Sequence, residues 1–120
     1  MSTTMLIVDD SKVTRMMIKS IASSLHDDWE YLEAACGDEA LQTVEGREID
    51  IMTIDMNMPG MDGITLAGEL RVKYPNAQIT LMTANIQDAV RKKADEVGIG
   101  FIAKPVTQDK IYAYVEGASL

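Results

Sequence analysis

The sequence has one cysteine, Cys36, and one histidine, His26, among its 120 residues. A single cysteine excludes an intrachain disulfide, and the two residues together do not provide the ligands of a zinc site. No apolar run approaches the roughly 18 residues that a membrane-spanning helix requires. Residues 1–5 also lack the basic start and long apolar stretch of a signal peptide. We therefore expect a cytoplasmic protein without membrane insertion.

Basic residues are few, with 11 Lys and Arg against 19 Asp and Glu and a formal net charge of −8. The bases are scattered, and only Arg91, Lys92 and Lys93 are contiguous. A strongly acidic chain repels a phosphate backbone unless its basic residues cluster. We therefore expect no direct binding of nucleic acid and expect cations or basic partner surfaces to suit this chain better.

Short apolar runs alternate along the chain with segments of helical periodicity. The runs, each predicted to be a β-strand, are Met5–Val8, Tyr31–Ala35, Ile51–Ile54, Ile79–Met82 and Phe101–Ala103. Apolar residues at every fourth position predict the buried face of the first helix: Val13, Met17, Ile21 and Leu25. A similar stripe predicts the fourth helix: Ile86, Val90, Ala94 and Val97. Five strand–helix units with continuous apolar strands predict a parallel, doubly wound α/β sheet covered on both faces.

Polar residues follow the predicted strands where each strand ends. Asp9 and Asp10 follow the first strand, Asp55 the third, Thr83 the fourth and Lys104 the fifth. Ligands of such sheets bind beyond the carboxyl ends of the strands, so we expect these side chains to converge. Crowded carboxylates favour a cation, and a few oxygen ligands suit Mg²⁺, which often shares a phosphate oxygen. A carboxylate can itself be a nucleophile that forms an aspartyl phosphate, with a lysine and a hydroxyl to neutralise the group.

These residues resemble the receiver domain of bacterial two-component response regulators, and the resemblance extends over the whole chain. The segments that carry it are Asp9-Asp10, Asp55-x-x-Met58-Pro59-x-Met61-Asp62-Gly63, Thr83-Ala84, Lys104-Pro105 and Ala34-x-x-Gly37-x-Glu39-Ala40-Leu41. The resemblance implies a flavodoxin-like fold with five parallel strands in the order 2-1-3-4-5 and five helices. It also implies that residues 1–120 form a single receiver domain with no output domain.

The resemblance further implies a role for each matching residue of the site. Asp55 would accept a phosphoryl group from a phosphohistidine on a sensor histidine kinase or a histidine phosphotransfer protein. Asp10 and Asp55 would hold Mg²⁺, with Asp9 contributing through water and the Asn57 backbone carbonyl completing the set. Lys104 would contact the phosphoryl group. The protein would then be a phosphoacceptor regulator that catalyses only its own phosphorylation and dephosphorylation.

The same resemblance implies how the signal leaves the site. Thr83 would move toward the phosphoryl group, and Phe101 occupies the position of the switch aromatic. The Lys104–Pro105 peptide bond would be cis. Phosphorylation would change the face formed by helix four, strand five and helix five, to which a separate output protein would bind. Phe101 lacks the hydroxyl that a tyrosine has in many family members, so it can pack inward but cannot donate a hydrogen bond.

Two other interpretations use the same residues. An aspartyl-phosphate phosphatase would need a second acid two residues after the nucleophile, where this chain has Asn57. A pseudo-receiver would be a binding scaffold that ignores phosphate, and it would have no need of Asp9, Asp10, Asp55 and Lys104 together. Asn57 and Asn85, two residues after Asp55 and Thr83, flank the path that a hydrolytic water would take.

Overall fold

A computed structural model describes residues 3–84 and 88–118 of the chain. Strands and helices alternate without exception, as the apolar pattern predicts. The elements are β1 (Thr4–Val8), α1 (Lys12–Leu25), β2 (Glu30–Ala34), α2 (Gly37–Val44), β3 (Ile51–Asp55), α3 (Gly63–Lys73), β4 (Gln78–Thr83), α4 (Asp88–Val97), β5 (Gly100–Ala103) and α5 (Gln108–Ala118). In these described ranges, no helix has the length and apolar character needed to span a bilayer.

The five strands form one parallel sheet in the order β2-β1-β3-β4-β5, which confirms the predicted fold class. Every residue of β1 and β3 is buried, so these two inner strands contact helices on both faces. Side chains alternate between the faces, as they must along a strand. Leu6 and Ile54 belong to a cluster with residues of α2, α3 and α4, whereas Ile7 and Ile51 belong to a cluster with residues of α1 and α5.

The buried face of α1 differs from the predicted one. Val13, Met17 and Leu25 are 76%, 38% and 42% exposed, whereas Ile18 and Ala22 are fully buried. A four-residue step exceeds one helical turn of 3.6 residues, so the predicted stripe rotates by about 120° between its first and last members. A stripe that wraps this far around a helix cannot face one core. Ser11 caps the start of α1 by accepting a hydrogen bond from the Thr14 N–H (3.3 Å).

The fourth helix is described from Asp88 to Val97. The α4 helix begins at Asp88 and buries Ala94, while Val90 and Val97 are partly buried. Ile86, the first member of the predicted stripe, lies outside the described residues, as does Asn85. Of the predicted stripe, Ala94 belongs to the cluster with residues of α2 and α3, and Val97 packs against that cluster.

Candidate functional site

The predicted polar residues meet at the carboxyl edge of the sheet because parallel strands end together there. Asp55 closes β3, Thr83 closes β4, and the chain continues from β1 into Asp9 and from β5 into Lys104. Asp9, Asp55 and Thr83 are at most 2% exposed, whereas Asp10 is exposed. The carboxylates of Asp9 and Asp55 thus lie beneath the surface, and that of Asp10 lies at the entrance to the site.

The three carboxylates form a compact acidic cluster. One oxygen each from Asp9, Asp10 and Asp55 lies within 4.8 Å of the others. Asp9 is held by its Oδ1 atom, which accepts a hydrogen bond from the Ser11 N–H (2.8 Å). Its buried Oδ2 atom accepts no hydrogen bond from any described residue. Burial raises the pKa of Asp9 and the Asp55 charge raises it further, against the opposing Ser11 hydrogen bond.

Lys104 supplies the positive charge of the site. Its Nζ atom lies 3.0 Å from Asp55 Oδ1 and 3.8 Å from Asp9 Oδ2. Burial lowers the pKa of Lys104, but the hydrogen bond and charge of Asp55, together with the charges of Asp9 and Asp10, raise it above its ordinary value. Lys104 therefore stays protonated at neutral pH and neutralises one of the three carboxylates.

The donor set fits a hard divalent cation. Carboxylate oxygens are the ligands that Mg²⁺ prefers, and Mg²⁺ keeps several waters, so a few protein oxygens are enough. Asp9 Oδ2 is buried and without a hydrogen bond from the described residues, a costly arrangement unless a cation or water satisfies the oxygen. One lysine does not balance three carboxylates. The cluster therefore has both the ligand type and the charge for Mg²⁺.

The turn that follows β5 is tied to the neighbouring strand β4. The Lys104 N–H donates to the Thr83 carbonyl (2.9 Å), which continues the register that pairs Thr83 with Ala103. The Lys104–Pro105 peptide bond is cis, as the resemblance implies. Lys110 of α5 donates to the carbonyls of Ala103 (2.8 Å) and Pro105 (3.1 Å). These bonds set the height at which Lys104 leaves the sheet.

The loop after Asp55 requires particular residues at the start of α3, namely Asp62 and Gly63. Asp62 caps α3 by accepting a hydrogen bond from the Thr65 N–H (2.8 Å), and this bond is the main reason that the pKa of Asp62 is lowered. The Gly63 N–H donates to the Met56 carbonyl (3.0 Å). A Cβ atom on Gly63 would lie only 2.3 Å from the Asp55 carbonyl oxygen. Only glycine lets α3 begin directly against the backbone of Asp55.

Arg15 is a supporting residue that the sequence reasoning missed. Its Nη1 atom donates to the Asp9 carbonyl (2.6 Å), and its Nε atom lies 3.1 Å from Glu33 Oε1. The bridge joins the end of β1 to β2 and fixes the backbone that carries Asp9. One signal was available, because a cation in the first turn of a helix opposes the helix dipole and so suggests a specific use.

Thr83 and Phe101 lie on neighbouring strands at different heights. Thr83 pairs with Ala103 at the site edge, whereas Phe101 pairs with Leu81, two residues further from the edge. The structure thus brings Asp9, Asp10, Asp55 and Lys104 together, with Thr83 at the same edge, and leaves Phe101 beneath them on the α4 side. The guanidinium carbon of Arg91 lies 5.6 Å from the centroid of the Phe101 ring.

Comparison with known proteins agrees with this geometry. A family model described as "Response regulator receiver domain" matches residues 5–116. The chain is 35% identical over 121 residues to the chemotaxis protein CheY of Listeria monocytogenes, with 96% of this chain and 97% of that protein covered.

Solved structures give the same result. The chemotaxis protein CheY4 of Vibrio cholerae superposes with a TM-score of 0.87 at 25% identity, covering 98% of this chain and 99% of that one. A chain from the CheX–CheY–BeF3–Mg²⁺ complex of Borrelia burgdorferi superposes with a TM-score of 0.86 at 30% identity, covering 98% and 90%. The resemblance drawn from the sequence motifs is confirmed, and the chain belongs to the response regulator receiver domain family.

Proposed function

We propose that Asp55 accepts a phosphoryl group from a phosphohistidine and that the protein acts as a phosphorylation-dependent switch. The observation that carries this proposal is the position of Asp55, 2% exposed, between an acidic cluster and the Lys104 ammonium 3.0 Å away. Receiver domains bind Mg²⁺ at an acidic pocket, and the cluster of Asp9, Asp10 and Asp55 supports the same use here.

The two oxygens of Asp55 have different surroundings. Lys104 Nζ and the Asn57 N–H both donate to Oδ1, at 3.0 and 3.3 Å. Among the described residues, none donates to Oδ2. In the transfer, Asp55 Oδ2 would form the new bond to phosphorus while the bond from phosphorus to the donor imidazole nitrogen breaks. The leaving imidazole keeps its electron pair and takes up a proton.

The remaining residues would hold the cation and neutralise the negative charge of the phosphoryl group. Asp10, Asp55 and the Asn57 backbone carbonyl would bind Mg²⁺, with Asp9 acting through water, and the ion would supply charge to the phosphoryl oxygens. Lys104 would turn from the Asp55 carboxylate to a phosphoryl oxygen as a point charge. Positioning and charge neutralisation account for most of the catalysis in such transfers.

The phosphoryl group would change the molecule beyond the site. Phosphorylation adds a charge of about −1.5 to −2 and three acceptor oxygens. We propose that Lys104 and Thr83 move their loops toward these oxygens and that Phe101 turns inward. The α4–β5–α5 face would then bind a separate output protein. The CheX–CheY complex of Borrelia burgdorferi, which also holds BeF3 and Mg²⁺, supports a protein partner for a related chain.

The phosphodonor would dock beside the site on α1. Val13 and Met16 are 76% and 56% exposed on the helix that begins two residues after Asp10. Large apolar side chains exposed together usually mark an interaction surface. A partner that covers them would bring its phosphohistidine to the entrance formed by Asp10. A phosphatase is not favoured, because Asn57 cannot serve as a general acid.

Mass spectrometry tests the proposal. The wild-type protein is incubated with acetyl phosphate and either Mg²⁺ or EDTA, then reduced with borohydride, which converts an aspartyl phosphate to homoserine. We expect a phosphoryl mass gain that requires Mg²⁺ and homoserine at position 55. Asp38→Asn, a change at an exposed aspartate of α2, should behave as wild type, and Asp55→Asn should show no gain. No gain in the wild type, or an equal gain in Asp55→Asn, would overturn the proposal.

A further inference from the structure

Arg91, on the surface of α4, contacts an aromatic ring of the neighbouring strand β5. Its guanidinium carbon lies 5.6 Å from the centroid of the Phe101 ring. This distance is within the roughly 6 Å over which a cation is attracted to the face of an aromatic ring. Arg91 is exposed and Phe101 is partly buried, so the guanidinium forms an outer cover on the ring.

The other three arginines are used differently. Arg15 and Arg47 each pair with a glutamate, and Arg71 donates to carbonyls that include that of Ala77 (2.7 Å). Within residues 3–84 and 88–118, no hydrogen bond or ion pair engages the side chain of Arg91. The contact with the Phe101 ring is therefore the interaction that engages the Arg91 guanidinium among the described residues.

The Phe101 ring lies on the α4 side of the sheet. Ile102, the next residue of β5, packs against the cluster of α1 and α5, so Phe101 points to the opposite face. There the ring lines an open groove of about 350 Å³ with Arg91, Ala94 and Asp95. Thr83 lies on the neighbouring strand, closer to Asp55. A ring that turned toward Thr83 would have to leave the guanidinium.

We propose that Arg91 is a positioning residue of the switch, whose guanidinium holds the Phe101 ring outward against α4 until phosphorylation draws the ring inward. This inference rests on the proposed role of Phe101 in the function above. It adds a residue that is remote from the phosphoryl chemistry: no described hydrogen bond or ion pair joins Arg91 to Asp55 or Lys104.

The contact sets how much the outward state is favoured. An exposed cation–π contact changes an equilibrium by roughly two- to fivefold. A ligand that binds better to the inward state gains apparent affinity when the outward state loses this contact. Removing the guanidinium should therefore raise the affinity for beryllofluoride and Mg²⁺, which stand in for the phosphoryl group, by the same roughly two- to fivefold.

Phe101 is the only phenylalanine of the chain, which gives a direct measurement. Labelling with 4-fluorophenylalanine produces a single ¹⁹F resonance that reports on this ring alone. The variants are Arg91→Gln, which removes the charge, and Arg91→Lys, which keeps it. Lys92→Gln is the matched control, because it removes the same charge from the adjacent exposed position of α4.

Without beryllofluoride, we expect the resonance of Arg91→Gln to move toward the position that the wild type reaches when saturated with beryllofluoride and Mg²⁺. Lys92→Gln should leave it unchanged, and Arg91→Lys should lie between wild type and Arg91→Gln. In titrations, Arg91→Gln should raise beryllofluoride affinity roughly two- to fivefold, but not in a Phe101→Leu background. An Arg91→Gln resonance equal to that of the wild type, or equal effects of Arg91→Gln and Lys92→Gln, would overturn the inference.

The two proposals fail in different ways. If the wild type neither binds beryllofluoride nor accepts a phosphoryl group, the proposed function is wrong. The ligand-free spectra still compare Arg91→Gln with Lys92→Gln, because this comparison needs no phosphoryl chemistry. If the wild type does bind beryllofluoride and Arg91→Gln does not change its affinity, the role of Arg91 is wrong and the function stands.

Discussion

Replacing Gly63 by alanine should damage both the fold and the site. The added Cβ would lie 2.3 Å from the Asp55 carbonyl oxygen, 2.7 Å from Met56 Cα and 2.9 Å from the Asp55 carbonyl carbon. All three are backbone atoms, so no side-chain rotation can make room. Either the end of β3 or the start of α3 must shift, and the hydrogen bond from the Gly63 N–H to the Met56 carbonyl (3.0 Å) is strained with it.

The cost follows from these contacts. Overpacking a filled site typically costs about 1–3 kcal/mol, and loss of a backbone hydrogen bond adds about 1 kcal/mol. We expect Gly63→Ala to lower the free energy of unfolding by about 2–4 kcal/mol, out of about 5–15 kcal/mol for a whole domain. The displaced atoms belong to Asp55, so phosphorylation by acetyl phosphate should also slow in the fraction that remains folded.

Gly68→Ala, in the same helix, is the matched control. The nearest atom to its added Cβ is Val97 Cγ1 at 4.0 Å, an ordinary contact. Alanine is the better helix former, so this variant should gain about 0.5–1 kcal/mol. Urea unfolding followed by circular dichroism, in buffer with EDTA, measures both. A loss of less than about 1 kcal/mol in Gly63→Ala, or equal losses in the two variants, would refute the role assigned to this close approach.

Three further perturbations test the electrostatics. Lys104→Met leaves the buried Asp55 carboxylate without its cationic partner at 3.0 Å. Urea unfolding in EDTA should show a free energy of unfolding lower by about 1–3 kcal/mol. This loss is smaller than for a fully buried ion pair because Lys104 is partly exposed. Added Mg²⁺ should restore more stability to this variant than to the wild type, and equal effects would contradict the charge argument. Burial raises the pKa of Asp9, opposed by the Ser11 hydrogen bond and reinforced by the Asp55 charge. The protonated form of Asp9 therefore favours the folded state. This contribution to folding stability is lost when Asp9 ionises at higher pH. Asp9→Asn should thus be more stable than wild type in thermal unfolding at neutral pH without Mg²⁺, a gain that disappears below the ordinary pKa of 3.8. Burial, with a smaller effect of nearby aspartates, raises the pKa of Tyr31 from 10.0 to about 12. The protonated phenol therefore stabilises the folded state fully below pH 10.0, and this contribution is lost as the pH rises toward 12. Tyr31→Phe should lose less stability over that pH range, as measured by unfolding, with tyrosinate absorbance to follow the titration in the wild type.

The fold and most of the site could be predicted because both depend on rules that act locally. Apolar runs such as Ile51–Ile54 mark strands that are buried on both faces, and a parallel sheet brings the strand ends to one edge. This is why Asp55 and Lys104, which are 49 residues apart in the sequence, could be placed together before their 3.0 Å contact was known.

The supporting residues could not be predicted in the same way. The contact of Arg15 with the Asp9 carbonyl depends on how α1 is rotated against β1, and the need for Gly63 depends on how close α3 approaches β3. Arg91 and Phe101 meet only because α4 lies over β5. Such contacts follow from the packing of elements against each other, which hydrophobic periodicity does not determine.

The error in the predicted buried face of α1 fits the proposed docking of the phosphodonor on this helix. Apolar periodicity cannot distinguish a face that packs in the core from a face that packs against a partner, since both remove apolar side chains from water. Val13 belongs to the stripe that was predicted to be buried, and it is 76% exposed beside the site. Disagreement between the local pattern and the fold is expected where a sequence also serves a function.

This interpretation of α1 predicts a separation of stability from phosphotransfer. Val13→Ser should change the free energy of unfolding by no more than about 0.5 kcal/mol, because an exposed side chain has little packing to lose. It should slow phosphoryl transfer from a phosphorylated histidine phosphotransfer protein that reacts with the wild type, yet leave the reaction with acetyl phosphate unchanged, because the small donor needs no docking surface. Val72→Ser is the control, since Val72 is 84% exposed on α3. If both variants transfer at the wild-type rate, or if Val13→Ser slows both donors equally, α1 is not the docking surface.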